Sequence, residues 1–306
     1  MKARVRLGRA EPDTGAAFEA QVDLACPVSL AIEIDFTGTE PRHFGAPRAS
    51  ARPFAAAGFA GAVAAGASCN CSTVTLTPHC NGTHTECAGH LTVQPLDALR
   101  VVPAGLLPAV LLTVAPQVSR DTGETPDETT DPPPRADDRL VTRRLLAAAW
   151  AARSGSSRSG SSHTVPNALV PNALVPNALV RALVIRTLPN SPDKRHRDYS
   201  GETAPYLTLE AAQWLVERGI EHLVVDLPSI DRIEDEGRLT AHRVFFGLPP
   251  GARELPLARR ARCTITELAY VPDSTADGAY LLELQVPALG GDAVPSRPLL
   301  YSLESP

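Results

Sequence analysis

Apolar and polar positions along the chain fall into two regimes. In the first hundred or so residues, short alternating runs are separated by loops. Leu30-Ala-Ile-Glu-Ile-Asp-Phe36 places Ile32, Ile34 and Phe36 on one face and predicts a strand. Ser72–Leu76 predicts a short strand that runs directly into a histidine-rich segment, whereas the Ala/Gly-rich run ending at Ala67 fits helix and packed loop equally. The second regime begins at Arg181 and is regular. Arg181–Thr187 reads as a buried strand, and Thr208 can cap a helix over Leu209–Arg218 that Gly219 ends. His222–Asp226 is again a strand, and Leu239–Phe246 a short helix carrying His242 and stopped by Gly247. Ala261–Leu268, Ala279–Val286 and Pro298–Leu303 predict closing strands. This strand–helix–strand order implies an α/β fold with a mixed central sheet.

Between these regimes the pattern lapses. Thr122–Asp138 (TGETPDETTDPPPRADD) is acidic, with three consecutive prolines and almost no apolar residues, so it is expected as an exposed loop. Leu140–Ala152 predicts a helix with Leu145, Leu146 and Trp150, and Arg153–Ser162 is a Ser/Arg/Gly tract. The pentapeptide PNALV then occurs in tandem at Pro166–Val170, Pro171–Val175 and Pro176–Val180. A five-residue period matches neither helix nor strand, and three copies are too short for a solenoid, so the repeat reads as a local duplication. Residues 116–180 are therefore expected as a low-complexity insertion in a single domain formed by 1–115 and 181–306.

Composition narrows the function classes. With 306 residues and 43% hydrophobic content the chain can bury a substantial core. A net charge of -5 argues against a general nucleic-acid binder. There is no apolar run of spanning length, so no membrane helix is expected. The opening MKARVRLGRA has no apolar signal core, which leads to the expectation of a cytoplasmic protein with its six cysteines reduced. Four of those, Cys69, Cys71, Cys80 and Cys87, are crowded together, but their spacing fits no paired zinc knuckle. Neither a G-x-S-x-G elbow nor a phosphate-binding glycine loop is present. The basic run Asp193–Arg197 (DKRHR) reads as a solvated loop.

Chemistry concentrates in Pro78-His-Cys-Asn-Gly-Thr-His-Thr-Glu-Cys-Ala-Gly-His90. Three of the eight histidines fall within these few residues, together with Glu86 and a conformationally permissive Gly82. Imidazole and carboxylate together suit zinc, manganese or iron. On an extended strand His84 and Glu86 share a face, and His90 joins them if the strand continues. Thiol catalysis through Cys87 or Cys80 with a nearby histidine is a further alternative.

This segment resembles the H-x-G-T-H-x-D-x-P-x-H signature of the cyclase family, which includes bacterial kynurenine formamidase and isatin hydrolase. The likeness continues in order along the chain. Tyr206–Asp231 is similar to the family's helix, strand and PS-x-D turn, and Leu239-Thr-Ala-His242 to its later ligand histidine. Ile265-Thr-Glu-Leu268 resembles its glutamate segment, and Gly291-Asp-Ala-Val-Pro-Ser-Arg297 its G-D-x-S-P-x-R close. The chain departs from the signature by one extra residue after His79, by Glu86 in place of aspartate and by Ala88 in place of proline. The resemblance implies a swivelling β/β/α fold, one or two divalent ions (zinc or manganese) per subunit, and metal ligands at His79, His84, Glu86, His242 and Glu267. It also implies His90 as the catalytic proton carrier, hydrolysis of an amide, lactam or related carbonyl bond in a small molecule, and a homo-oligomer, dimer or tetramer. A non-catalytic metal-binding module on the same fold is the alternative. Phe44, Phe54 and Phe59 are candidates to line the substrate pocket.

Overall fold

A computed structural model describes residues 1–7, 18–121, 128–153 and 175–304. An eleven-stranded mixed sheet organises the molecule. In chain order its strands are β1 (Lys2–Leu7), β2 (Phe18–Asp23), β3 (Val28–Ser29), β4 (His84–Cys87), β5 (Leu107–Val114), β6 (Ala182–Thr187), β7 (His222–Val225), β8 (Thr264–Glu267), β9 (Gly278–Gln285), β10 (Ala293–Pro295) and β11 (Arg297–Glu304). They lie side by side as β1-β2-β11-β9-β5-β6-β7-β8-β4-β10, with β3 on β11. The centre, β5 to β8, is parallel, and both flanks are antiparallel.

All six residues of β6 are buried, which matches its apolar run Ala182–Ile185. Such burial on both faces is the usual state of a parallel strand covered on each side. On one face Leu183, Ile185, Val110, Leu112, Leu223, Val225 and Ile265 pack under helices. On the other, Val184, Ala182, Leu111 and Val224 meet Leu30, Val271, Leu282 and Leu300. Helices α2 (Arg143–Ala152), α3 (Leu209–Glu217) and α4 (Thr240–Phe246) supply the first layer through Leu146, Trp150, Trp214, Leu215, Phe245 and Phe246. A four-residue helical turn, α1 (Ala98–Val101), precedes β5. As its sequence predicts, α3 starts at Thr208, whose hydroxyl accepts from the Ala211 N–H, and ends before Gly219 at φ 70°. Helix α2 is shorter at its start than expected, because Leu140 and Val141 belong to a strand, Arg139–Val141, paired with Tyr206–Leu207. Its Thr142 caps it.

Three other expectations change. Leu30–Phe36 is not a strand: its donors go outside a ladder, Leu30 N–H to the Pro298 carbonyl and Ile32 N–H to Thr83 Oγ1, and Phe36 turns at φ 60°. The Ala/Gly-rich run is mostly small exposed hairpins, Ala55–Ala56 with Phe59–Ala60 beside Ser50–Pro53 with Ser72–Thr75, followed by a single 3-10 turn, Val63–Ala65. Lys194, placed in a solvated loop by its basic neighbours, is buried and ion-paired with Asp226 at 2.7 Å. The first PNALV repeat, most of the second, and nearly all of the Ser/Arg/Gly tract lie outside the described residues. The third repeat forms a 3-10 turn, Asn177–Leu179, that leads into β6.

Candidate metal centre

Strand β4 lies between β8 and β10, so its side chains can be approached from two distant parts of the chain. His84 stands directly opposite Glu267 of β8, and Glu86 opposite Ala293 of β10. The period of two predicted for His84 and Glu86 therefore holds, and both are fully buried. The strand stops at Cys87. His90 sits instead on a 3-10 turn, Ala88–Leu91, which still returns its ring to the same place. His79 comes from the turn Pro78–Cys80, and Gly82 at φ 81° bends the chain between them. A side chain on Gly82 would meet Ile34 at 3.0 Å, so glycine is required there for both space and conformation.

The predicted residues converge. His242 Nε2 is 2.9 Å from Glu86 Oε1 and 3.5 Å from Glu267 Oε1, and His84 Nε2 is 3.5 Å from Glu267 Oε2. On the outer side, His79 Nδ1 lies 3.1 Å and His90 Nε2 4.0 Å from Glu86 Oε2. Two overlapping groups have ligand atoms close enough to share an ion, His79 with Glu86 and His90, and His84 with Glu86 and Glu267.

Ring orientation is set from behind. The His84 Nδ1–H donates to the Gly82 carbonyl at 3.1 Å, and the His242 Nδ1–H to Asp231 Oδ2 at 2.6 Å. In each ring this leaves Nε2 pointing into the cluster. Asp231 also accepts from the N–H groups of Ala241 and His242, so one carboxylate both starts α4 and aims its histidine. Asp292 does the same outside, accepting from His79 Nε2 at 2.8 Å and His90 Nδ1 at 3.3 Å. The sequence signals for this pair were the PS-x-D turn and the Gly-Asp of the closing motif, which mark conformation rather than chemistry.

His84 Nε2, Glu86 Oε1 and His242 Nε2 are buried without a hydrogen-bond partner. The last two stand 2.9 Å apart with no N–H aimed between them, which is how ligand atoms sit round a common centre. Charge points the same way. Burial pushes the Glu86 carboxyl up, but the neighbouring imidazoles, His242 first, hold it well below the usual carboxylate range. Glu267, also raised by burial, is brought to about 2 by the adjacent His242 and His84 imidazoles. Burial would lower His79, yet its bonds to Asp292 and Glu86 raise it to about 10. His242, likewise opposed by burial, is raised well above its ordinary value, chiefly by the Glu86 charge. Two buried carboxylates thus demand positive charge, and a divalent cation fits this donor set.

Neither group of clustered ligands includes a cysteine. Cys87 donates to the Leu96 carbonyl, and burial pushes its thiol up to about 12, against nucleophilic use. Phe44 and Phe54 are largely exposed, which does not fit the apolar pocket wall expected of them. His43 went unnoticed in the sequence. It is buried, both ring nitrogens lack partners, and burial lowers it to about 4 while the Glu267 charge opposes that shift.

Comparison with known proteins agrees with this geometry. A family model, "Putative cyclase", matches residues 22–232. The chain is similar in structure to a predicted metal-dependent hydrolase from Bacillus stearothermophilus, with 15% identity, a TM-score of 0.52, and coverage of 90% of this chain and 98% of that one. It is similar also to isatin hydrolase A from Ralstonia solanacearum, with 14% identity, a TM-score of 0.53, and coverage of 90% and 92%. At such identities the likeness speaks for the fold. No curated protein matches the chain significantly. By the family model, which spans the greater part of its length, the chain belongs to the cyclase family.

Proposed function

We propose that the chain is a metal-dependent hydrolase that cleaves an amide, lactam or related C–N bond of a small molecule. His79, His84, Glu86, His242 and Glu267 would hold one or two divalent ions, zinc or manganese. The observation that carries this reading is the convergence of unpartnered, buried His84 Nε2, Glu86 Oε1 and His242 Nε2. When bound, such an ion supplies Lewis acidity and brings the pKa of water from about 15.7 toward 7. His90 is the proton carrier. Its Nδ1 faces the Asp292 carboxylate at 3.3 Å, which fixes the tautomer and leaves Nε2 facing the cluster to accept and return a proton. A side chain about a quarter exposed can reach both the site and an entering substrate.

The exposed apolar residues Phe54, Val63 and Val74 on the hairpins of 50–75 favour self-association as a dimer or tetramer. All six cysteines are free thiols, in keeping with a cytoplasmic location. The test is elemental analysis of protein purified without added metal, followed by turnover assays on formyl-aryl amides, lactams and lactones. His84→Ala is expected to lose both metal and hydrolysis, and full activity in that variant refutes the proposal. Bound metal without turnover on any of these substrates favours the non-catalytic module.

A further inference from the structure

Strands β7 and β8 have a second end. At one end Glu267, the last residue of β8, faces the metal cluster, and at the other His222, the first residue of β7, and Cys263, just before β8, line a separate cleft of about 780 Å³. That volume is typical of small-molecule sites, which run from about 300 to 1,000 Å³. Four arginines line it: Arg100, Arg259, Arg260 and Arg262. The single acidic residue among its walls, Glu221, is turned toward Arg181 at 3.5 Å. A chain with net charge -5 thus gathers four guanidinium groups round one concavity.

These charges are not neutralised from within. Among the described residues, none of the four arginines has a carboxylate partner. Arg260 is fixed in place: its guanidinium donates to the backbone carbonyls of Phe245, at 2.7 Å, and Ile220, and lies 4.9 Å from the Phe245 ring centre. Carbonyls orient a guanidinium but leave its charge uncompensated. Its field reaches the floor of the cleft, where it adds to burial in lowering His222. The lining also includes an apolar stretch, Val101, Val102, Pro103 and Leu107. A rigid planar guanidinium suits phosphate and carboxylate groups, and an apolar wall suits a flat or hydrocarbon body.

We propose that this cleft binds an organic polyanion, a small molecule with an apolar body and two or more phosphate or carboxylate groups, at a site distinct from the metal cluster. Shape and charge act together: the arginines take the anionic groups and the Val101–Leu107 wall takes the body. Because most of the attraction is to charge, affinity falls as salt rises.

The test uses pyrenetetrasulfonate, a fluorescent polyanion that binds metals weakly, with binding read as anisotropy on the full chain. Wild type is expected to bind the dye saturably. Arg259→Ser/Arg262→Ser should weaken binding by at least about tenfold, since each charge-assisted contact is worth more than a neutral one. Arg4→Ser/Arg6→Ser on β1 should bind as wild type does, and metal content should be unchanged in both. If the double cleft variant does not fold, Arg100→Gln gives the same readout on one contact. Displacement by ATP or by citrate then separates a phosphate source from a carboxylate one, with metal content checked because both chelate. No saturable binding, equal binding by the cleft variants, equal loss in the β1 variant, or a dye displaced by neither anion overturns the proposal.

Discussion

Metal uptake should be coupled to the release of two protons. Between the protein groups alone, His79 is protonated up to about 10, burial working against its bonds to Asp292 and Glu86. His242 is held well above its ordinary value against burial, mainly by the Glu86 charge. A cation can use His79 Nδ1 and His242 Nε2 only once those nitrogens give up their protons. Near neutral pH both protons must leave, so apparent affinity should rise about a hundredfold per pH unit, ten for each proton, until His79 itself titrates. Calorimetry in two buffers of different ionisation enthalpy counts the protons, and chelator competition across pH gives the slope. His79→Ala should reduce the count by one. Asp292→Asn removes the hydrogen-bond acceptor that does most to hold the proton on His79, so its count should fall below that of wild type. The same shift acts on stability. In metal-free protein the folded-state value of His79 lies above the unfolded one, so its contribution is complete below about pH 6.5 and is lost as pH rises through about 10. It is of the order of 5 kcal/mol. Metal-loaded protein should not weaken in this way. A count of zero, or an affinity that rises less than about tenfold per pH unit, refutes the reasoning.

Other consequences are simpler to measure. His222 is lowered to about 4, by burial first and Arg260 second, so between that value and about 6.5 the unfolded chain binds more protons than the folded one. Stability should therefore drop by about 2 kcal/mol from neutrality to about pH 5, and urea unfolding of His222→Gln should lack that share of the drop. Lys194→Met leaves the Asp226 carboxylate buried without its partner and should cost about 3–5 kcal/mol, mostly regained by adding Asp226→Asn. A loss under about 1 kcal/mol would mean the pair contributes little. Leu183→Ala, a cavity beneath the helices, should cost about 2–5 kcal/mol in thermal or denaturant unfolding.

What could be read from the sequence was whatever local pattern controls. The period of two at His84 and Glu86, the Thr208 cap and the apolar run Ala182–Ile185 of β6 are each set by a few neighbouring residues. The route by which His90 reaches the cluster was not legible. A Cβ on Gly89 would lie 2.4 Å from the Leu96 carbonyl oxygen, so the chain passes close against itself there and curls into a turn instead of extending the strand. Asp292 escaped notice because only the pairing of β10 with β4 brings it beside His79 and His90. Lys194 was misplaced for a related reason. Its neighbours in sequence are polar, whereas its partner, Asp226, directly follows a different strand, β7. For the same reason Leu30–Phe36 has the alternation of a strand without the ladder: pattern specifies which faces are apolar, and the partners for its N–H groups come from Thr83 and Pro298.

The position of β4 also governs when the site can exist during synthesis. Thr85 meets Thr266 across 181 residues of chain, and the other neighbour of β4, β10, emerges later still. The histidine-rich segment therefore leaves the ribosome early and waits for both flanking strands. No nascent chain shorter than Glu267 can assemble the cluster, and a product truncated before Thr264 retains His79, His84, Glu86 and His90 without the strand that holds them in register.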